Sequence, residues 1–172
     1  GKTWYKLTRG LPSGDVGRIG LALAPANPDI IYAMIELPGN SGGFYRSDDL
    51  GESWTKMSNE IARSPQYYVE IYVDPVDTER IISMDVRNRV SNDGGKTWEM
   101  LGEKNKHVDN HAMWIDPDNT DYYLMGCDGG IYESWDRGRN WVFKSNFPVM
   151  QFYHVRTDND LPFYNVYGGT QD

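Results

Sequence analysis

Ser91-Asn92-Asp93-Gly94-Gly95-Lys96-Thr97-Trp98 is one copy of a phrase that punctuates this chain. Ser47-Asp48-Asp49-Leu50-Gly51-Glu52-Ser53-Trp54 and Ser134-Trp135-Asp136-Arg137-Gly138-Arg139-Asn140-Trp141 repeat it, and Gly1-Lys2-Thr3-Trp4 matches its closing half. The shared pattern is S-x-D-x-G-x-x-W. Its tryptophans stand 50, 44 and 43 residues apart. Each position has a physical task in a tight hairpin. The Asp accepts backbone N–H groups, the Gly takes a positive φ, and the Trp packs its face while its N–H finds an acceptor.

A period near forty residues built from short strands marks a β-propeller blade. A second recurring signal supports this. Ala24-Pro25-Ala26-Asn27-Pro28-Asp29, Asp74-Pro75-Val76-Asp77 and Asp116-Pro117-Asp118-Asn119 are turn sequences, and Asp158-Asn159-Asp160 is a copy without proline. Before each turn lies a β-branched or aromatic run: Ile19 to Ala24, Val69 to Val73, Ala112 to Ile115, Phe152 to Val155. After it comes a second run: Ile30 to Ile35, Arg80 to Val86, Tyr122 to Cys127, Tyr164 to Tyr167. A third strand follows, often opened by paired glycines, and a fourth begins at the closing Trp. The expected fold is all-β: about three complete four-stranded blades, with partial blades at both ends. Residues 1–7 read as the last strand of a preceding blade; 18–57, 67–101 and 109–144 read as blades; 151–172 read as the start of a following one. Propellers need four to eight blades, so the chain reads as part of a larger propeller. Its first partners are then the remaining blades of a longer polypeptide. The first unit is longer than the others. Leu37-Pro38-Gly39-Asn40-Ser41 extends the loop between its second and third strands.

The formal charge is −8. No basic stripe is present for phosphate, which argues against nucleic acid and against an anionic membrane surface. Cys127 stands alone, so no disulfide forms within these residues. Its neighbours Leu124 and Met125 make it a small apolar residue rather than a reactive thiol. No apolar run approaches membrane-spanning length.

The phrase resembles the Asp-box, or BNR repeat, of sialidases, sortilin-type propellers, xyloglucanase-type glycosidases and photosystem-assembly propellers. His107-Val108-Asp109-Asn110-His111-Ala112-Met113-Trp114-Ile115-Asp116-Pro117, Asp128-Gly129-Gly130-Ile131-Tyr132-Glu133-Ser134 and Val166-Tyr167-Gly168-Gly169-Thr170-Gln171-Asp172 are similar to segments of large bacterial sortilin-like BNR proteins. Those proteins are often labelled glycosyl hydrolases. The resemblance implies an extracytoplasmic, multi-bladed protein. It carries over no catalytic set. No arginine stands in a sialidase context, and no position matches a xyloglucanase-type catalytic aspartate.

Propeller ligands sit near the central axis, where the innermost strands begin. Registering the units on Pro25, Pro75, Pro117 and Asn159 aligns Gly17, Tyr67, Asp109 and Gln151. It also aligns Ile19, Val69, His111 and Tyr153. Positions that break a repeat's own rule are functional candidates. His107, Asp109 and His111 fall at period two, so an extended strand would project them to one side. They are either metal ligands or, in the blander reading, hydrogen-bonding rim residues. A glycosidase would pair Asp109 with Asp15, Glu70 or Asp172. Arg18 could clamp a carboxylate or pair locally. Tyr67, Tyr68 and Phe152-Tyr153 could stack on sugar, anchor a protein, or fill the core. The candidate ligand-binding set is Arg18, Tyr67, Tyr68, His107, Asp109, His111, Gln151 and Tyr153. No cofactor is expected. The expected function is a non-catalytic, extracytoplasmic protein-interaction or scaffold propeller built from Asp-box repeats; its partner would be a membrane-associated protein complex or a glycan. The alternative is a glycan-active propeller, hydrolase or lectin. Recurrence in every blade makes Asp48, Asp49, Asp93 and Asp136 turn staples rather than catalytic acids.

Overall fold

The computed structural model describes residues 2–146 and 154–169. The first sheet is β1 (Ile19–Leu23), β2 (Ile31–Ile35), β3 (Gly43–Ser47) and β4 (Thr55–Ser58). The second is β5 (Ile71–Val73), β6 (Ile81–Ser83), β7 (Arg89–Ser91) and β8 (Glu99–Met100). The third is β9 (Asn110–Ile115), β10 (Tyr123–Cys127), β11 (Gly130–Ser134) and β12 (Val142–Phe143). In each, sequential strands pair antiparallel in chain order. A two-stranded sheet of β13 (His154–Thr157) and β14 (Val166–Gly169) follows. One 3-10 turn, Pro38–Asn40, lies in the longer loop of the first unit.

The S-x-D-x-G-x-x-W hairpins join the third and fourth strands, and their three copies agree closely. Ser47, Ser91 and Ser134 are buried. Each hydroxyl accepts the backbone N–H of the phrase's glycine, at 2.8 Å in every copy. Each donates to the Asp carboxylate, at 2.8, 2.8 and 2.9 Å. The same carboxylates accept from the residue four positions on, through its backbone N–H and its side chain: Ser53, Thr97 and Asn140. Gly51, Gly95 and Gly138 have φ of 88°, 88° and 83°. The residues before them, Leu50, Gly94 and Arg137, are also positive in φ, at 58°, 72° and 59°. Two successive positive φ values are the signature of a type I′ hairpin turn. Glycine is needed for space as well: a β-carbon on Gly95 would meet the Phe44 ring of the preceding sheet at 2.3 Å.

The tryptophans couple one sheet to the sheet before it. Trp98 Nε1 donates to Gly95 O (3.0 Å) and to Ser58 Oγ (3.2 Å), at the exit of the first sheet. Trp141 Nε1 donates to Gly102 O (2.8 Å), just past the second. Trp54 donates its indole N–H to Gly51 O and its backbone N–H to Arg9 O. Trp141 is 2% exposed, while Trp54 and Trp98 are half-buried.

The core lies between sheets rather than within one. Tyr32, Met34 and Phe44 of the first sheet pack with Tyr68, Ile71 and Ile81 of the second. Ile82, Met84 and Val90 of the second pack with Met113, Tyr123 and Trp141 of the third. Polar groups seal both seams. Tyr32 Oη donates to Thr78 O (2.9 Å), Arg46 pairs with Glu79 (2.5 Å), and Arg80 Nε donates to Tyr123 Oη (3.0 Å). The first strands converge: a β-carbon on Gly20 would stand 1.7 Å from Val69 O. Sheets that radiate from converging first strands are propeller blades. One face of β1, formed by Ile19, Leu21 and Leu23, is exposed, as is Trp114 on β9.

Two outcomes follow from the hairpin and its seam. Trp141→Ala should cost roughly 3–5 kcal/mol, the range for emptying a buried aromatic site. Trp135→Ala, at an exposed position, should cost about 1 kcal/mol or less; urea unfolding followed by circular dichroism compares the two. Hydrogen bonds from Ser53 hold the Asp49 carboxyl down at about 2. For Asp93, burial is the largest single influence and pushes the carboxyl up, but the bonds from Thr97, Ser91 and the Lys96 backbone together outweigh it and leave it at about 2. Both lie below the unfolded aspartate value of about 3.9. The unfolded chain therefore binds more protons, and this stabilisation is present above about pH 5 and lost as pH falls towards 2. The urea midpoint of Asp93→Asn should fall less steeply than that of the native protein across this window.

Candidate functional site

The inner rim, where β1, β5 and β9 begin, carries one polar chain across three blades. It starts at Glu36, which follows β2. Glu36 Oε2 accepts the Arg18 backbone N–H at 3.0 Å. Arg18 Nη1 reaches across the first seam and donates to Pro65 O (2.9 Å) and Gln66 O (2.7 Å). Those carbonyls belong to the loop that delivers Tyr67 and Tyr68. Arg18 thus clamps a neighbouring backbone.

Tyr67 is 61% exposed and lies 6.2 Å from the buried Tyr68 ring. Tyr68 reaches across the second seam and donates its hydroxyl to Asp109 Oδ1. Burial, and then the Asp109 carboxylate, push the Tyr68 phenol up from its ordinary value. The Tyr68 ring also stacks on His111, at 5.3 Å and 25°. His111 Nε2 lies 3.1 Å from Asp128 Oδ1, and both side chains are half exposed.

Asp109 is held from three sides. Its N–H donates to Val86 O (2.8 Å), its carbonyl accepts from Asp128 N (3.1 Å), and its carboxylate accepts from Tyr68. Its φ is 67°, a left-handed conformation that a side chain disfavours. Such strain persists where the surroundings over-determine it. The same conformation breaks the period-two geometry expected for His107, Asp109 and His111. Regular strand begins only at Asn110, so the three do not share a strand face. His107 Nδ1 contacts Val108 O (2.6 Å), Asp109 meets Tyr68, and His111 meets Asp128. Among the described residues no three metal-ligating side chains converge.

Asp15 lies at the Glu36 end of the rim, away from Asp109, in a cleft of about 220 Å³ lined by Asp15, Val16, Gly17, Glu36, Leu37 and Pro38. Glu70 Oε2 accepts the Val69 N–H (3.0 Å) beside it. Gln151, Tyr153 and Asp172 lie outside the described residues. A second cleft, of about 230 Å³, lies at the Asn92–Glu99 hairpin, away from the rim. The Cys127 thiol is half-buried and packs against the core between the second and third sheets; burial raises its pKa.

Glu36 and Asp128 were not singled out in the sequence. They occupy one register position, twelve residues after Ala24 and Asp116, where the second unit has Val86. An acid shared by two of three units at the end of the second strand was the signal available.

No family model matches the chain. It is 28% identical over 166 residues to the oligoxyloglucan-reducing end-specific xyloglucanase of Emericella nidulans, a match covering 85% of this chain and 20% of that protein. Its fold is similar to that of a GH74 enzyme from Niastella koreensis, with a TM-score of 0.57 and 19% identity over 72% of this chain and 22% of that one. A chain of the nidogen/laminin complex matches with a TM-score of 0.54 and 18% identity, covering 72% of this chain and 46% of that one. The chain thus spans about a fifth of the xyloglucanase and of the GH74 enzyme. The structural likenesses bear out the propeller fold.

Arg18→Ala should release the clamped loop without emptying a core site. Amide hydrogen exchange at Tyr67 and Tyr68 should then speed up, while exchange in β6 and β10 stays unchanged.

Proposed function

We propose that the chain belongs to a non-catalytic, extracytoplasmic interaction propeller that engages its partner through the inner rim. One observation carries this reading: Arg18, Tyr68 and Asp109 of the rim are already engaged in holding neighbouring blades together. Asp109 is tied to Tyr68, His111 faces Asp128, and Arg18 holds two carbonyls. A glycosidase needs two carboxyl groups flanking the bond, one of them kept protonated by its surroundings. Asp15 and Asp128 are open to solvent and so within reach of a partner's charge. The exposed Tyr67 supplies an anchor of the kind that dominates protein interfaces. Further blades of the same polypeptide are the nearest partners in this reading. The exposed apolar face of Ile19, Leu21 and Leu23 supports them.

A glycan-active propeller is the second reading, favoured by the identity to a xyloglucanase. Xyloglucan oligosaccharides separate the two. The intact protein should release no more reducing sugar than its Asp15→Asn/Asp109→Asn variant. Release by the native protein that the variant abolishes would establish the second reading instead.

A further inference from the structure

Resting on the interaction reading, we propose that the Asp15–Glu36 cleft receives a lysine or arginine side chain from a basic, extended segment of the partner protein. The cleft has the parts such a side chain needs. Val16, Leu37 and Pro38 supply an apolar wall for an aliphatic stem, and Asp15 and Glu36 supply two carboxylates for its charged head. Its volume of about 220 Å³ falls below the roughly 300–1,000 Å³ of small-molecule sites, so one side chain fits it better than a free ligand does.

The charge of these acids is not matched from within. Among the described residues Asp15 makes no ion pair. Glu36 Oε2 accepts only a backbone N–H, that of Arg18, whose guanidinium is turned to the Pro65 and Gln66 carbonyls. With a formal charge of −8, the protein steers towards basic partners generally; the cleft gives that attraction an address.

The cleft belongs to the first unit for a structural reason. Asp15, Gly17 and Glu36 share register with His107, Asp109 and Asp128 of the third unit. There His107 closes the space: a β-carbon on Gly129 would lie 2.3 Å from the His107 Cβ. In the first unit the longer loop, with its 3-10 turn at Pro38–Asn40, walls the cleft instead. Gly17 keeps it open, since a β-carbon there would stand 2.4 Å from Glu36 Oε2. From the cleft the rim continues to the exposed Tyr67 and on to Asp128, so an extended basic segment would meet an aromatic ring and further acid along one path.

Fluorescence anisotropy of the intact protein tests this, using a short labelled peptide of lysines spaced by Gly-Ser and its lysine-to-glutamine counterpart. The lysine peptide should bind and the glutamine peptide should not, with binding weakened by salt. Asp15→Asn/Glu36→Gln should weaken binding at least about tenfold, as loss of charged hydrogen-bond acceptors does, and Gly17→Ala should weaken it too. Glu52→Gln/Asp118→Asn removes the same charge elsewhere and should leave it unchanged. Equal losses in the two double variants would reduce the effect to net charge and overturn the cleft. Equal binding of both peptides would also overturn it while leaving the interaction reading standing. Absence of peptide binding, with xyloglucan oligosaccharides bound instead, would remove both.

Discussion

The structure depends on a buried serine. In each hairpin a Ser hydroxyl accepts the N–H of a left-handed glycine and donates to an Asp that gathers the next turn of backbone. This closes the hairpin tightly enough to aim a Trp at a fixed place. That place is the exit of the preceding sheet, some forty residues earlier. A local motif thereby sets a long-range contact. The motif recurs because the contact must be made once per blade, and its acids are therefore poor candidates for chemistry.

Much of this was legible in sequence because hairpin chemistry is local. Gly51, Gly95 and Gly138 need their positive φ for reasons readable in a few neighbouring residues. The proline turns announce the end of each first strand in the same way. The rim was less legible. Its contacts cross seams between blades: Arg18 to Gln66, Tyr68 to Asp109. No periodicity reports a bond between residues forty apart. Period-two spacing misled at His107, Asp109 and His111 because it presumes an extended backbone, and Asp109 is left-handed. Glu36 stayed hidden because its role depends on the unusual length of the loop that follows it.

The rim also shows how a repeat acquires individuality. Gly17, Tyr67 and Asp109 occupy one register position and do three different things. Gly17 leaves room for a carboxylate, Tyr67 presents a ring to solvent, and Asp109 takes a tyrosine hydroxyl. The blades beneath them are nearly the same. Variation fits at this one position because the cores between the sheets do not include Gly17, Tyr67 or Asp109.

The reach of Trp98 and Trp141 into the sheet before makes each of those sheets a keystone for its successor. Such an array behaves as a line of units coupled to nearest neighbours, with little cooperation beyond them. The second sheet, joined through Trp98 to the first and through Trp141 to the third, feels a loosening at either seam.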